Sequence, residues 1–204
     1  DRHRKYIDFC IVNDLPSLIW AANLASLELH PSLSKAPAIE TPTMVVFDLD
    51  PGPPATILDC VQVAFWLREL FENLELASFP KTSGSKGLQV YVPLNTPTDY
   101  TRTKAFAHSA ARLLERRHPN KVVSKMRKTL RTGKVLVDWS QNDIHKTTVC
   151  VYSLRAKPMP TVSTPVTWEE LARAQKAKDP GSLLSPASRS LSAAKSTAAY
   201  SLRF

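Results

Sequence analysis

Cysteine is scarce: Cys10, Cys60 and Cys150 are the only three in 204 residues, far apart and odd in number. That excludes a disulfide framework and a zinc spacing, and the apolar context of each fits a buried thiol in a reducing compartment. Long apolar runs are missing too. MVVFDLD and VAFWLREL are each broken by charge well before the roughly 18 residues that span a bilayer. The opening DRHRKYIDFCIVND is charged throughout and holds no leader-like apolar stretch, so the chain reads as soluble and cytoplasmic. Acids are in deficit: 18 Asp and Glu face 27 Lys and Arg, a net charge of +9. Such an excess favours polyanionic partners, because each phosphate contacted releases counterions, although a merely soluble basic surface carries the same excess. There is no internal repeat. Hydrophobic residues at 43% exclude general disorder.

What is present is an alternation of helical and strand patterns. DLPSLIWAANLASLELH predicts a first helix with Asp14 as N-cap, apolar Leu18, Ile19, Ala22, Ala25 and Leu29 at helical spacing, and Pro31 as its end. TMVVFDLD predicts a buried strand stopped by PGPP. ATILDCVQVAFWLRELFENL follows as a long helix, its inward stripe Ile57, Val61, Ala64, Leu67, Phe71 and Leu74. LASFPKTSGSKGLQVYVPL predicts two strands joined by a Ser/Gly/Lys turn, and YTRTKAFAHSAARLLERRHP a helix closed by Pro119. The basic stretch KVVSKMRKTLRTGK leads into the strand KVLVDW, and TTVCVYSLR predicts a further strand. TPVTWEELARAQ predicts a surface helix capped by Thr167. Residues 1–178 then form one domain, and 179–204 a loosely held, low-complexity tail. Strands clustered without long helices between them predict an α+β fold on a mixed, partly antiparallel sheet.

The acids at strand ends carry the chemistry. Asp48 and Asp50 sit two apart, so their side chains leave the same face of the strand. Such a pair either caps the DPGPP turn or holds a hard cation, Mg²⁺ or Mn²⁺. Asp138, at the end of another apolar strand, adds a third carboxylate, and three could hold two metals for in-line nucleotidyl transfer. The turn KTSGSKG offers the Ser83 and Ser85 hydroxyls, backbone at Gly84 and Gly87, and Lys86 as a phosphate cradle, without Walker spacing. Arg131 and Arg155 supply guanidinium forks suited to triphosphate oxygens. His3, His108 and His118 read as structural. His30 reads either as a cap on the C-terminal dipole of the first helix or as a phosphate or catalytic contact.

LIWAANLASLELHP, VVFDLDPG, FPKTSGSKGLQVYVPL, KVLVDWSQN and KTTVCVYSLR, in this order between about Tyr6 and Trp168, resemble one family. It is the polymerase domain of the bacterial non-homologous end-joining ligase D, within the archaeo-eukaryotic primase superfamily. The resemblance implies a primase-like core in which Asp48, Asp50 and Asp138 bind two metals, Mn²⁺ favoured over Mg²⁺. It places Ser83, Lys86, Arg131, Gln141 and Arg155 around the incoming nucleotide and His30 among the active-site residues. It implies template-directed addition of nucleotides, preferably ribonucleotides, to primers at double-strand breaks. The partners implied are DNA, nucleoside triphosphates, a ligase domain and a Ku-type end-binding protein, in a prokaryotic, nucleoid-associated setting without a membrane. The chain departs from the pattern at Gln89, where the family has His, and in having no counterpart of roughly 80 preceding residues that contact the nucleobase and a DNA 5′-phosphate. Two other readings compete: a non-catalytic DNA-end-binding module, and a haloacid-dehalogenase-like phosphatase with Asp48 as nucleophile. PGPP after the second acid speaks against the phosphatase.

Overall fold

An uninterrupted apolar, β-branched run makes β1 (Met44–Pro51) the middle strand of a five-stranded sheet. Residues 9–186 are described by the computed structural model. The strand order is β2 (Phe79–Thr82), β3 (Leu88–Pro93), β1, β5 (Val135–Asp138), β4 (Val122–Val123). All pairings are antiparallel except β4 with β5, so the mixed α+β expectation holds.

Alternation along β1 divides its labour. Val45, Phe47 and Leu49 point to one face and are fully buried in the core formed with α2 (Ile57–Glu72) and α3 (Tyr100–Arg117). Phe47 meets the ring of Phe71 at 5.1 Å and Phe106 edge-on. The α2 stripe Ile57, Val61, Ala64, Leu67 and Phe71 is buried as its spacing predicts; Leu74 lies beyond the helix end and is exposed. α4 (Trp168–Ala177) has the expected Thr167 cap but is not a mere surface helix, because Leu171 and Ala174 enter the same core. Leu183 joins them, and Val162 N–H donates to the Ser185 carbonyl, so residues 179–186 are held by the domain rather than loose. The rest of the expected tail, and His3, lie outside the described residues.

Three local expectations fail. The first helix, α1, spans only Leu15–Asn23, and of its residues only Ala21 is buried while Leu18 and Ile19 are exposed. It ends in a Schellman arrangement: Ser26 N–H donates to Ala21 O and Ala25 N–H to Ala22 O, with Ala25 at φ 57°. His30 therefore stands beyond the helix in an irregular segment, and dipole capping by it is excluded. The strand expected over residues 147–155 shrinks to β6 (Leu154–Arg155), paired with β7 (Thr161–Val162) in a separate sheet. A left-handed turn at Tyr152 interrupts it, and Thr148 and Cys150 donate their N–H groups to Pro31 and Leu29 instead. Of the cysteines, Cys60 is buried, Cys150 partly so, and Cys10 is exposed. Among the described residues no helix is long and apolar enough to cross a membrane.

Candidate functional site

Directly opposed residues on antiparallel strands share a face. The register sets Lys81 opposite Gln89, Gln89 opposite Asp48, and Asp48 opposite Asp138. One transverse row thus runs Lys81, Gln89, Asp48, Asp138 over four strands, on the face turned away from Phe47 and Leu49. Asp50 follows Asp48 on that face. Above the row lies a cavity of about 270 Å³ lined by His30, Asp48, Asp50, Ser83, Lys86, Gln89, Gln141, Thr148 and Arg155. Residues from five separate stretches of chain meet there.

The acids repel one another. Burial, then the Asp50 and Asp138 carboxylates, push Asp48 up to about 7, against a hydrogen bond from Gln89 and the charge of Lys81. Burial and Asp138 raise Asp50 as well, and Arg131 opposes the shift. Asp138 borders the cavity without lining it: its Oδ1 accepts from the Ser140 N–H at 2.8 Å and the Ser140 hydroxyl at 2.6 Å. Arg131 also stands outside the lining, its Nη2 donating to the Met126 carbonyl and its Nε buried without a hydrogen-bond partner. Among the described residues no three His, Cys, Asp or Glu side chains are grouped as a ready-made metal cage. The donor chemistry nevertheless fits a hard cation, since three carboxylates on one face leave negative charge that, among the described residues, Lys81 and Arg131 offset. Asp138 would have to turn from Ser140 toward Asp48 to complete the set.

The turn between β2 and β3 is built for close approach. Ser83 Oγ accepts from the N–H groups of Ser85 and Gly87, both at 3.2 Å, which leaves its O–H as a donor to a ligand. Gly84 sits at φ +66°, and its amide carbonyl accepts from the Thr161 hydroxyl. A Cβ on Gly87 would lie 2.2 Å from the Leu49 carbonyl oxygen. Gly87→Ala is therefore expected to push the turn off β1, cost roughly 1–3 kcal/mol of stability and weaken any phosphate ligand of the cavity. Urea denaturation with a nucleotide titration checks both, and an unchanged midpoint would refute the contact.

Sequence reasoning missed several residues. Lys81 is buried, its Nζ 3.0 Å from the Val149 carbonyl oxygen and 2.5 Å from Ser163 Oγ; burial pushes it down to about 7. Counting back from the Ser83–Gly87 turn would have placed it in the row. Gln89, the departure from the family pattern, donates from Nε2 to Thr148 Oγ1 at 2.9 Å and accepts from the Tyr91 hydroxyl at 2.8 Å. Glu28 contacts both His30 and Arg155, at 3.1 and 3.5 Å. Asn142 anchors the Trp139–Gln141 turn: its amide accepts from Val46 N–H at 2.9 Å and donates to Val46 O at 2.7 Å, which fixes Gln141 at the cavity. His108 and His118 are structural, stacked on Trp139 and Trp66.

Known proteins resemble this chain in sequence and fold. Residues 1–185 match the family described as LigD, primase-polymerase domain. The multifunctional non-homologous end joining protein LigD of Mycolicibacterium smegmatis is 44% identical over 164 residues, 79% of this chain and 22% of that protein. The bifunctional LigD of Bacillus subtilis is 31% identical over 162 residues, covering 79% of this chain and 26% of its own length. The chain thus spans about a quarter or less of the length of these relatives. Among solved structures, the polymerase domain of Mycobacterium tuberculosis ligase D in complex with DNA superposes with a TM-score of 0.79 at 38% identity, over 88% of this chain and 63% of that one. By the match along nearly its whole length, the chain belongs to the LigD primase-polymerase domain family.

Proposed function

We propose that the chain is a metal-dependent, template-directed nucleotidyltransferase that adds nucleotides, preferably ribonucleotides, to primer ends during double-strand break repair. The observation that carries this reading is the Asp48–Asp138 pairing with Asp50 beneath a cavity ringed by Ser83, Lys86 and Arg155. Asp48, Asp50 and Asp138 would hold two Mn²⁺ or Mg²⁺ ions. Such ions align a primer 3′-hydroxyl with an α-phosphate and neutralise charge on the leaving pyrophosphate. The chain's own part is positioning. Ser83 and Lys86 hold phosphate oxygens from the turn, Arg155 from β6, and Arg131 balances the acids. Gln141 and His30 border the same space. The net charge of +9 suits a DNA backbone, and the M. tuberculosis neighbour is described with DNA. A ligase domain and a Ku-type protein are the further partners that the family supplies. The phosphatase alternative falls with the family assignment.

The lack of a ready-made metal cage among the described residues favours one rival, a non-catalytic end-binding module. Primer extension on a gapped, 5′-phosphorylated duplex with Mn²⁺ and ribonucleoside triphosphates separates the two. Extension is expected; salt-sensitive DNA binding without extension would leave the binding module. In the same assay Arg155→Ala should raise KM for nucleotide and lower kcat, because contacts to the outer phosphates also orient the α-phosphate. Arg155→Lys should restore part of the loss, since the planar fork is absent. Strongly weakened DNA binding with unchanged nucleotide KM would move Arg155 to a template groove.

A further inference from the structure

Glu28 lies in none of the chemistry-bearing motifs except as the neighbour of His30, yet its carboxylate ties together two walls of the cavity. Oε2 is 3.1 Å from His30 Nε2. Oε1 accepts from the Ala156 N–H at 2.6 Å and stands 3.5 Å from Arg155 Nε. The two segments it joins are 128 residues apart in sequence. Glu28 and Arg155 are both largely shielded from solvent, with side chains 28% and 21% exposed. The Ala156 hydrogen bond, then the one to His30, hold the Glu28 carboxyl below its ordinary range, so it is an anion at neutral pH.

Arg155 needs such a partner. Its Nε is buried and makes no hydrogen bond, and its Cγ fills the space above Gly84, where a Cβ would come within 2.8 Å. The side chain is thus confined on the turn side by packing, and on the other by the Glu28 charge. His30 stands on an irregular segment beyond the end of α1, outside any regular element. A ring held by one carboxylate through Nε2 keeps its proton there and presents Nδ1 as its acceptor.

We propose that Glu28 is a positioning residue of this site, a single carboxylate that sets the tautomer of His30 and the direction of the Arg155 guanidinium together. This rests on the reading of the cavity as a nucleoside triphosphate site. Glu28 touches no reacting atom; it acts through the two residues it orients. Replacing it should loosen both at once, which neither His30 nor Arg155 substitution alone would do.

Glu28→Gln is the test, because it keeps the size and the acceptor for Ala156 N–H while removing the charge. The folded full chain is compared with wild type by thermal midpoint, by primer extension, and by long-range ¹H–¹⁵N correlation of the His30 ring. The expected result is a loss of about 10–100-fold in kcat/KM for nucleotide, an unchanged midpoint, and a His30 ring shifted away from the Nε2-protonated form. Glu28→Asp, with the charge kept on a shorter stem, should restore part of the rate. Wild-type-like extension with wild-type ring shifts would overturn the proposal. So would a rate loss accompanied by a fallen midpoint and unchanged ring shifts, the mark of a mere tether between 28 and 156. If wild type itself fails to extend primers, the nucleotidyltransferase reading fails separately. The ring shifts then decide the positioning role alone: moved in Glu28→Gln it stands, unmoved it falls.

Discussion

Asp138→Asn is expected to abolish nucleotide addition while leaving a folded protein of equal or greater stability. Asp138 faces Asp48 across the sheet, and its charge raises both Asp48 and Asp50. The asparagine keeps an Oδ1 acceptor for Ser140, which caps the Trp139–Gln141 turn, and removes one of three like charges. Losing a metal-aligned transfer costs on the order of 10³-fold or more in rate, about 4 kcal/mol of transition-state stabilisation. Relief of repulsion acts in the opposite direction on the metal-free fold. Asp138→Ala should show the same loss of rate with an additional stability cost of about 1 kcal/mol from the missing cap. Single-turnover primer extension and urea midpoints measured on both variants check this. Extension by Asp138→Asn within tenfold of wild type would remove Asp138 from the metal set.

In the presence of a chelator the protein is expected to be least stable near neutral pH. Two groups of the transverse row set this minimum. Asp48 is raised to about 7, so its folded form keeps a proton that the unfolded chain has already lost. The stability this brings is full below the ordinary aspartate range and is lost as pH climbs to about 7. Lys81 is lowered to about 7, so the folded form gives up a proton that the unfolded chain retains. Its contribution is full only above the ordinary lysine range, and is lost as pH falls to about 7. The two limbs meet in a trough on the order of a few kcal/mol deep. Urea midpoints from pH 4.5 to 10 in EDTA would trace it. Asp48→Asn should flatten the acid limb and Lys81→Met the basic limb, and Mn²⁺ in place of EDTA should raise the midpoint most at and above neutral pH, where the carboxylates are ionised. A midpoint rising steadily from pH 5 to 7 in EDTA would contradict the electrostatics of the row.

The errors of sequence reasoning have a common cause. The α1 pattern continued at helical spacing through Leu29, but Ala25 adopts the left-handed conformation at its C-terminus, where glycine would have signalled the stop. Reading on as helix put Glu28 and His30 on different faces. In the bent, non-helical chain that forms instead, the Glu28 carboxylate reaches the His30 imidazole. Thr147–Cys150 has strand composition, yet the segment it bonds to, Leu29–Pro31, lies more than a hundred residues away and no local pattern names it.

Local patterns by themselves determined the long elements and the acids. β1, α2, the β2–β3 turn, α3 and α4 follow from hydrophobic period and caps, because those depend on neighbours within a few residues. The two-residue spacing of Asp48 and Asp50 likewise places both on one face wherever the strand packs. Tertiary structure alone decided what stands beside them. Pairing of β1 with β5 in one register out of several set Asp138 against Asp48, and the β2–β3 hairpin carried Lys81 into the same row. Shifting either pairing by one residue would turn every one of those side chains to the opposite face. The register is held by burial of Val45, Phe47 and Leu49 against α2 and α3, a sum over the whole core that no single segment encodes.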